Sequence, residues 1–121
     1  MSNSISKISE DQELKIPINA HGLVLLIHGL TSTPWEMKGL ADRLFSLDFG
    51  SRAILLNGHG TCIQELHRTK IDAWQQQLDA SISQLSKLKL PIHLVGSSFG
   101  ALLALDLLIR TNIKTASISL C

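Results

Sequence analysis

Leu94-Val95-Gly96-Ser97-Ser98-Phe99-Gly100-Ala101 joins an apolar, strand-like run to a helix-like run through a Gly-x-Ser-x-Gly pattern. A turn of this kind lifts the central serine above the carboxyl edge of a sheet on a tight, strained bend. The positions two before and two after the serine pass so close to neighbouring backbone that a side chain would collide. Here they are Gly96 and Gly100. The helix that follows directs its positive N-terminal end at the bend, which favours negative charge developing there. Ser98 is therefore the residue around which a function is sought.

Working outward from that bend, the pattern alternates strands with helices. Gly22 to Ile27 is an unbroken apolar run, as suits a central parallel strand buried on both faces. It ends in His28-Gly29-Leu30, and a helix is expected to follow with Thr33 as N-cap, Pro34 at its first position and Glu36 completing a capping box. Leu40, Leu44 and Leu47 are expected on its inner face, with Phe49 and Gly50 closing it. Arg52 to Leu56 reads as a second strand, followed by the loop Asn57-Gly58-His59-Gly60. Ile71, Trp74, Leu78, Ile82 and Leu85 recur at helical spacing between Thr69 and Leu88. Ile92 to Val95 forms the third strand, a helix runs from about Ser98 to Ile109 or Arg110, and Ala116 to Leu120 reads as a fourth strand. Such alternation implies right-handed crossovers and a mostly parallel sheet flanked by helices, an α/β fold. Residues 1–20 carry no sustained period and read as an irregular lead-in to a single domain over residues 21–121.

Composition narrows the chemistry. Eleven Lys and Arg against ten Asp and Glu leave a formal charge of +1, so nothing favours a nucleic-acid partner. Cys62 and Cys121 are expected as reduced thiols, and the polar, Ser-containing N-terminus lacks the apolar heart of a signal peptide. No apolar run is long enough to span a membrane, and a cytoplasmic location is expected. His59, Cys62 and His67 lie close in sequence but lack a fourth zinc ligand, so neither metal nor cofactor is expected.

Three loops gather at one sheet edge: His28-Gly29 after the first strand, Gly58-His59-Gly60 after the second, and the serine bend after the third. Ligands in open parallel sheets bind at that edge. With these motifs in order, the chain resembles the α/β-hydrolase family, specifically small bacterial carboxylesterases and monoacylglycerol lipases. The resemblance rests on Val-Leu-Leu-Ile-His-Gly, Asn-Gly-His-Gly, the Asp72-Ala73-Trp74 helix start and Val-Gly-Ser-Ser-Phe-Gly-Ala, and covers Val24 to Cys121. It implies a sheet of about four strands in the order 2-1-3-4, the N-terminal half of that fold. It also implies Ser98 as acyl nucleophile, with an oxyanion hole from the backbone N–H groups of Leu30 and Phe99. His28 and His59 would brace their own loops, and Gly29, Gly96 and Gly100 would give the motifs room. The implied substrate is a small ester or acylglycerol.

The family's triad places an acid and then a histidine after the serine. This chain has no histidine beyond His93, and Asp106 lies within the helix after the serine. The expected reading is thus a truncated serine hydrolase, close to inert alone. The alternative is a non-catalytic or split half-domain that pairs with a second polypeptide. A small flavodoxin-like nucleotide module shares the strand order but finds no phosphate-cradling loop here. In either of the first two cases the fourth strand would be an open edge, suited to self-association or to a second chain.

Overall fold

The computed structural model describes residues 14–29, 37–58, 64 and 68–121. The elements run β1 (Gly22–Ile27), α1 (Lys38–Ser46), β2 (Phe49–Ile54), α2 (Ile71–Ser86), β3 (Ile92–Gly96), α3 (Phe99–Thr111) and β4 (Ser117–Leu120). All three strand pairings are parallel, and the sheet order is β2-β1-β3-β4. The α/β architecture and the 2-1-3-4 order expected from the sequence are those observed.

β1 organises the layers. All six of its residues are buried, because alternate side chains leave the strand on opposite faces and both faces are covered. Leu23, Leu25 and Ile27 join Trp74, Leu78, Ile82 and Leu85 of α2 and Leu103, Ala104 and Leu107 of α3. Val24 and Leu26 point the other way, towards Met37, Ala41 and Leu44 beside α1. No helix among the described residues is long and apolar enough to cross a membrane.

Several local expectations need correction. Leu40 and Leu47 are exposed, and the inward positions of α1 are Met37, Ala41 and Leu44, at spacings of four and three. Its start was expected at Thr33 and Pro34 with Glu36, residues that lie outside those described. Phe49 and Gly50 do not close α1; they open β2. The chain reverses instead at Asp48, whose φ of 67° is left-handed, and the Asp48 N–H donates to the Phe45 carbonyl. Gly50 can then lie in the strand where a Cβ would come within 2.9 Å of Leu23 and 3.1 Å of the Lys15 carbonyl. β2 therefore ends at Ile54, two residues short of the expected Leu56. Within α2, Ile71 is exposed although it fits the stripe, since only Trp74 onward reaches the sheet. Ahead of β1, Lys15 makes an isolated antiparallel bridge to Ser51.

α2 and α3 are joined by a polar clamp. Arg110 donates in parallel to both Asp79 carboxylate oxygens at 3.1 Å, and its Nε donates to Asp106 at 2.7 Å. Gln75 Nε2 donates to the same Asp106 oxygen at 3.1 Å. The Arg110 hydrogen bond, helped by Gln75, holds the Asp106 carboxyl below its ordinary range despite an opposing desolvation. All three charged side chains are partly exposed, so the clamp is worth about 0.2–1 kcal/mol per pair.

Two outcomes follow. Leu25→Ala is expected to lower unfolding free energy by about 2–5 kcal/mol, whereas Leu40→Ala stays within about 0.5 kcal/mol, both read by urea denaturation. A carboxyl with a depressed folded-state pKa stabilises above its unfolded value near pH 3.9 and loses that contribution as pH falls through the folded value. Asp106→Asn should accordingly flatten the acid limb of the stability-versus-pH curve below about pH 4.

Candidate active site

Because β1, β2 and β3 are parallel, their carboxyl ends and the loops that leave them share one edge. The bend after β3 is bonded directly to β1: the Ser97 N–H donates to the Ile27 carbonyl at 3.0 Å. Ser98 follows with φ 56° and ψ −118° and serves as N-cap of α3. A non-glycine residue in that region is strained, by about 1–3 kcal/mol. Its backbone N–H donates to the Cys121 carbonyl at 2.7 Å, and its side chain lies in an exposed position. Gly100 and Ala101 donate to the Ser97 and Ser98 carbonyls at 2.9 Å each. The Phe99 N–H, at the first helical residue, belongs to the donors that a helix leaves without intrahelical acceptors.

The two glycines around the bend are sterically required. A Cβ on Gly96 would sit 2.7 Å from the Ala101 backbone, and one on Gly100 would be 2.6 Å from the His28 carbonyl and still nearer that of Ile27. These are backbone obstacles that no rotamer change relieves. Gly29 brings the loop after β1 over the serine: a Cβ there would stand 3.4 Å from Ser98 Cβ and 3.9 Å from Oγ.

His28 is completely buried. Its Nε2 accepts from the Leu56 N–H at 3.1 Å, which makes Nδ1 the protonated nitrogen, and Nδ1 donates to the Gly29 carbonyl at 2.7 Å. One ring thus ties the loops after β1 and β2 together. α2 fastens the second loop further. Trp74 Nε1 donates to the Asn57 carbonyl at 2.6 Å, the Asn57 N–H donates to Gln77 Oε1 at 2.9 Å, and Gln77 Nε2 donates to the Leu55 carbonyl. The Trp74 ring also meets Phe99 edge-on, with centroids 5.2 Å apart.

The structure therefore brings Ser98, Phe99, His28, Gly29, Gly96 and Gly100 to one edge. Leu30, His59, Cys62 and His67 lie outside the described residues. Cys121 is a free, exposed thiol, and among the described residues no group of three or more His, Cys, Asp or Glu side chains is placed to hold a metal. His93 is not at this edge: it lies near the start of β3, with Nδ1 2.7 Å from Ser117 Oγ. Two features escaped the sequence reading. Trp74 stands in the sequence as one member of the helical stripe, yet an indole N–H so placed needs an acceptor, and that need is the available signal for its bond to the loop. Nothing local to Ser98 signalled that its amide would bond to Cys121.

Comparison with known proteins agrees with this geometry. The family described as serine aminopeptidase, S33, matches residues 18–121. A thermostable monoacylglycerol lipase from Bacillus sp. (strain H-257) is 32% identical over 84 residues, which cover 69% of this chain and 34% of the lipase. Among solved structures, one from work on the metagenome-derived lipolytic enzymes LipS and LipT superposes with a TM-score of 0.83 at 22% identity. It covers 93% of this chain and 45% of its own. The thioesterase domain from the curacin biosynthetic pathway gives 0.70 at 27% identity, covering 83% of this chain and 37% of its own. The chain thus spans about a third of the curated relative and under half of these structures.

The strain at position 98 is directly measurable. Ser98→Gly is expected to raise unfolding free energy by about 1 kcal/mol, since glycine occupies that φ without penalty. Gly100→Ala should cost more than 2 kcal/mol, roughly the scale of core overpacking, because backbone blocks the new methyl. Equal effects of the two substitutions in a denaturant titration would contradict the bend as described.

Proposed function

Because the chain belongs to the serine aminopeptidase S33 family of α/β hydrolases, we propose that residues 1–121 form the nucleophile-bearing part of a serine esterase acting on small carboxylic esters of the acylglycerol kind. The observation that carries this reading is the Ser98 backbone, held at φ 56° and ψ −118° on an exposed turn beneath the Gly29 loop. An ester substrate is supported by the monoacylglycerol lipase relative.

In the proposed reaction, Ser98 Oγ attacks the ester carbonyl while a histidine base takes its proton. The C=O electron pair moves onto oxygen, and the backbone N–H groups of Phe99 and Leu30 hold the resulting oxyanion. A donor of this kind contributes about 2.7–4 kcal/mol to the transition state. Collapse expels the alcohol, which receives the proton from the histidinium. Water then attacks the acyl-serine by the same route and releases the acid.

In this family the base follows the nucleophile in chain order, and residues 99–121 contain no histidine, so the base is sought on further polypeptide. His28 has both ring nitrogens engaged and is buried. His93 lies near the start of β3, at the end of the strand away from the bend, with Nδ1 2.7 Å from Ser117 Oγ. Loss of a triad histidine costs about 10⁶ in kcat in a serine protease, so residues 1–121 alone are expected to be nearly inert. A half-domain without catalysis is the other reading, and the same experiment separates the two.

A chimera joining residues 1–121 to the part of the Bacillus sp. monoacylglycerol lipase downstream of its matched segment is expected to hydrolyse monoacylglycerol. It should also react with a fluorophosphonate at Ser98. Ser98→Ala should remove the labelling and lower kcat by at least about 10⁴. A folded chimera that neither turns over substrate nor labels would leave the non-catalytic reading standing in its place.

A further inference from the structure

We propose that Trp74 and Gln77 of α2 are positioning residues that couple the loop after β2 to the backbone N–H of Phe99. This deepens the proposed function and rests on its assignment of that N–H to the oxyanion.

Residues three apart on a helix are neighbours on its surface, and these two reach the same short stretch of the loop. Gln77 Nε2 donates to the Leu55 carbonyl, and the Asn57 N–H donates to Gln77 Oε1 at 2.9 Å. One carboxamide thus serves the two backbone groups that a residue of a neighbouring strand would serve. Trp74 Nε1 donates to the Asn57 carbonyl at 2.6 Å, so α2 holds both backbone polar groups of Asn57. Leu56, between them, is held from the opposite side by His28 Nε2.

The indole that fixes Asn57 also meets the bend. Its ring centroid lies 5.2 Å from that of Phe99 at an interplanar angle of 73°, an edge-on pair. Trp74 is buried in the core cluster, and a close-packed ring anchored by its own N–H has little freedom to follow Phe99 if that side chain shifts. Phe99 is the first residue of α3, and its Cα joins the ring that Trp74 seats to the amide assigned to the oxyanion. The Gly100 and Ala101 N–H groups close the same turn on the Ser97 and Ser98 carbonyls. Loosening the loop therefore frees the indole, and freeing the indole loosens the turn. The dependence runs both ways, as an equilibrium coupling must. Gln84, further along α2, accepts a similar side-chain bond from Arg52 at 2.6 Å, but that bond ties α2 to β2 itself and not to the loop.

The test reads amide hydrogen exchange in residues 1–121 and turnover in the chimera described above. Gln77→Met keeps the length and helix preference of the side chain but removes both bonds to the loop, and Phe99→Leu removes the ring contact at the bend. Gln77→Met should speed exchange at Gly100 and Ala101 at least about fivefold, and Phe99→Leu should speed it at Asn57 by a similar factor. Gln84→Met should change neither. In a Trp74→Leu background both cross-effects should vanish, because the ring that carries them is gone. In the chimera, Gln77→Met should lower kcat about tenfold with KM within about twofold, the pattern of an interaction made in the transition state. Circular dichroism of each variant establishes that it is folded, and Gln77→Met alone decides if Phe99→Leu is not. Exchange that moves only at the substituted end, or an active chimera whose kcat ignores Gln77→Met, would overturn the proposal. Coupled exchange in residues 1–121 beside a chimera that hydrolyses no ester would sink the esterase reading and keep the coupling.

Discussion

The first turn of α3 lies so near the end of β1 that a Cβ on Gly100 would collide with the Ile27 and His28 carbonyls. Everything at the carboxyl edge depends on that approach. With α3 pressed so near, the chain leaving β3 has only two residues in which to change from extended to helical, and Ser98 takes the left-handed torsion that makes the reversal possible. The Ser97 N–H bond to Ile27 then sets where the reversal occurs. The strain is local, and the burial of Leu103, Ala104 and Leu107 beneath the same helix offsets it.

Around this bend the neighbouring loops are held by side chains rather than by strand pairing. β2 stops at Ile54, so the backbone groups of residues 55–57 lose their ladder partners. His28, Gln77 and Trp74 supply replacements at Leu55, Leu56 and Asn57. Only Leu56 of the three is buried, and a buried backbone group needs a partner of this kind. The outcome is a firm edge in which Trp74 touches both the second loop and Phe99, linking the two ends of the site through one ring.

The fold was legible where the sequence pattern was unambiguous. Gly22 to Ile27 is apolar without interruption, and a strand covered on both faces requires just that. The bend at Ser98 was legible because only glycines fit at 96 and 100. Legibility failed at α1, where Leu40 and Leu47 looked like the inner face. Ala41 is small and carries little signal in a hydrophobic stripe, yet it lies inward with Met37 and Leu44. Gly50 misled for a related reason: a glycine after a helix reads as its terminator, whereas Asp48 makes the turn and Gly50 makes room for Leu23. Within the site, the long-range partners were hidden. The bond from Leu56 to His28 spans 28 residues, and it depends on strand register that no local motif encodes.

The hydrogen bond from the Ser98 amide to the Cys121 carbonyl gives the bend a remote anchor. The Cys121 N–H donates in turn to the Gly96 carbonyl, so the residue that follows β4 clasps both ends of the turn. The backbone just past β4 thus acts as a latch on the bend, and whatever steadies it fixes the direction of the Ser98 side chain.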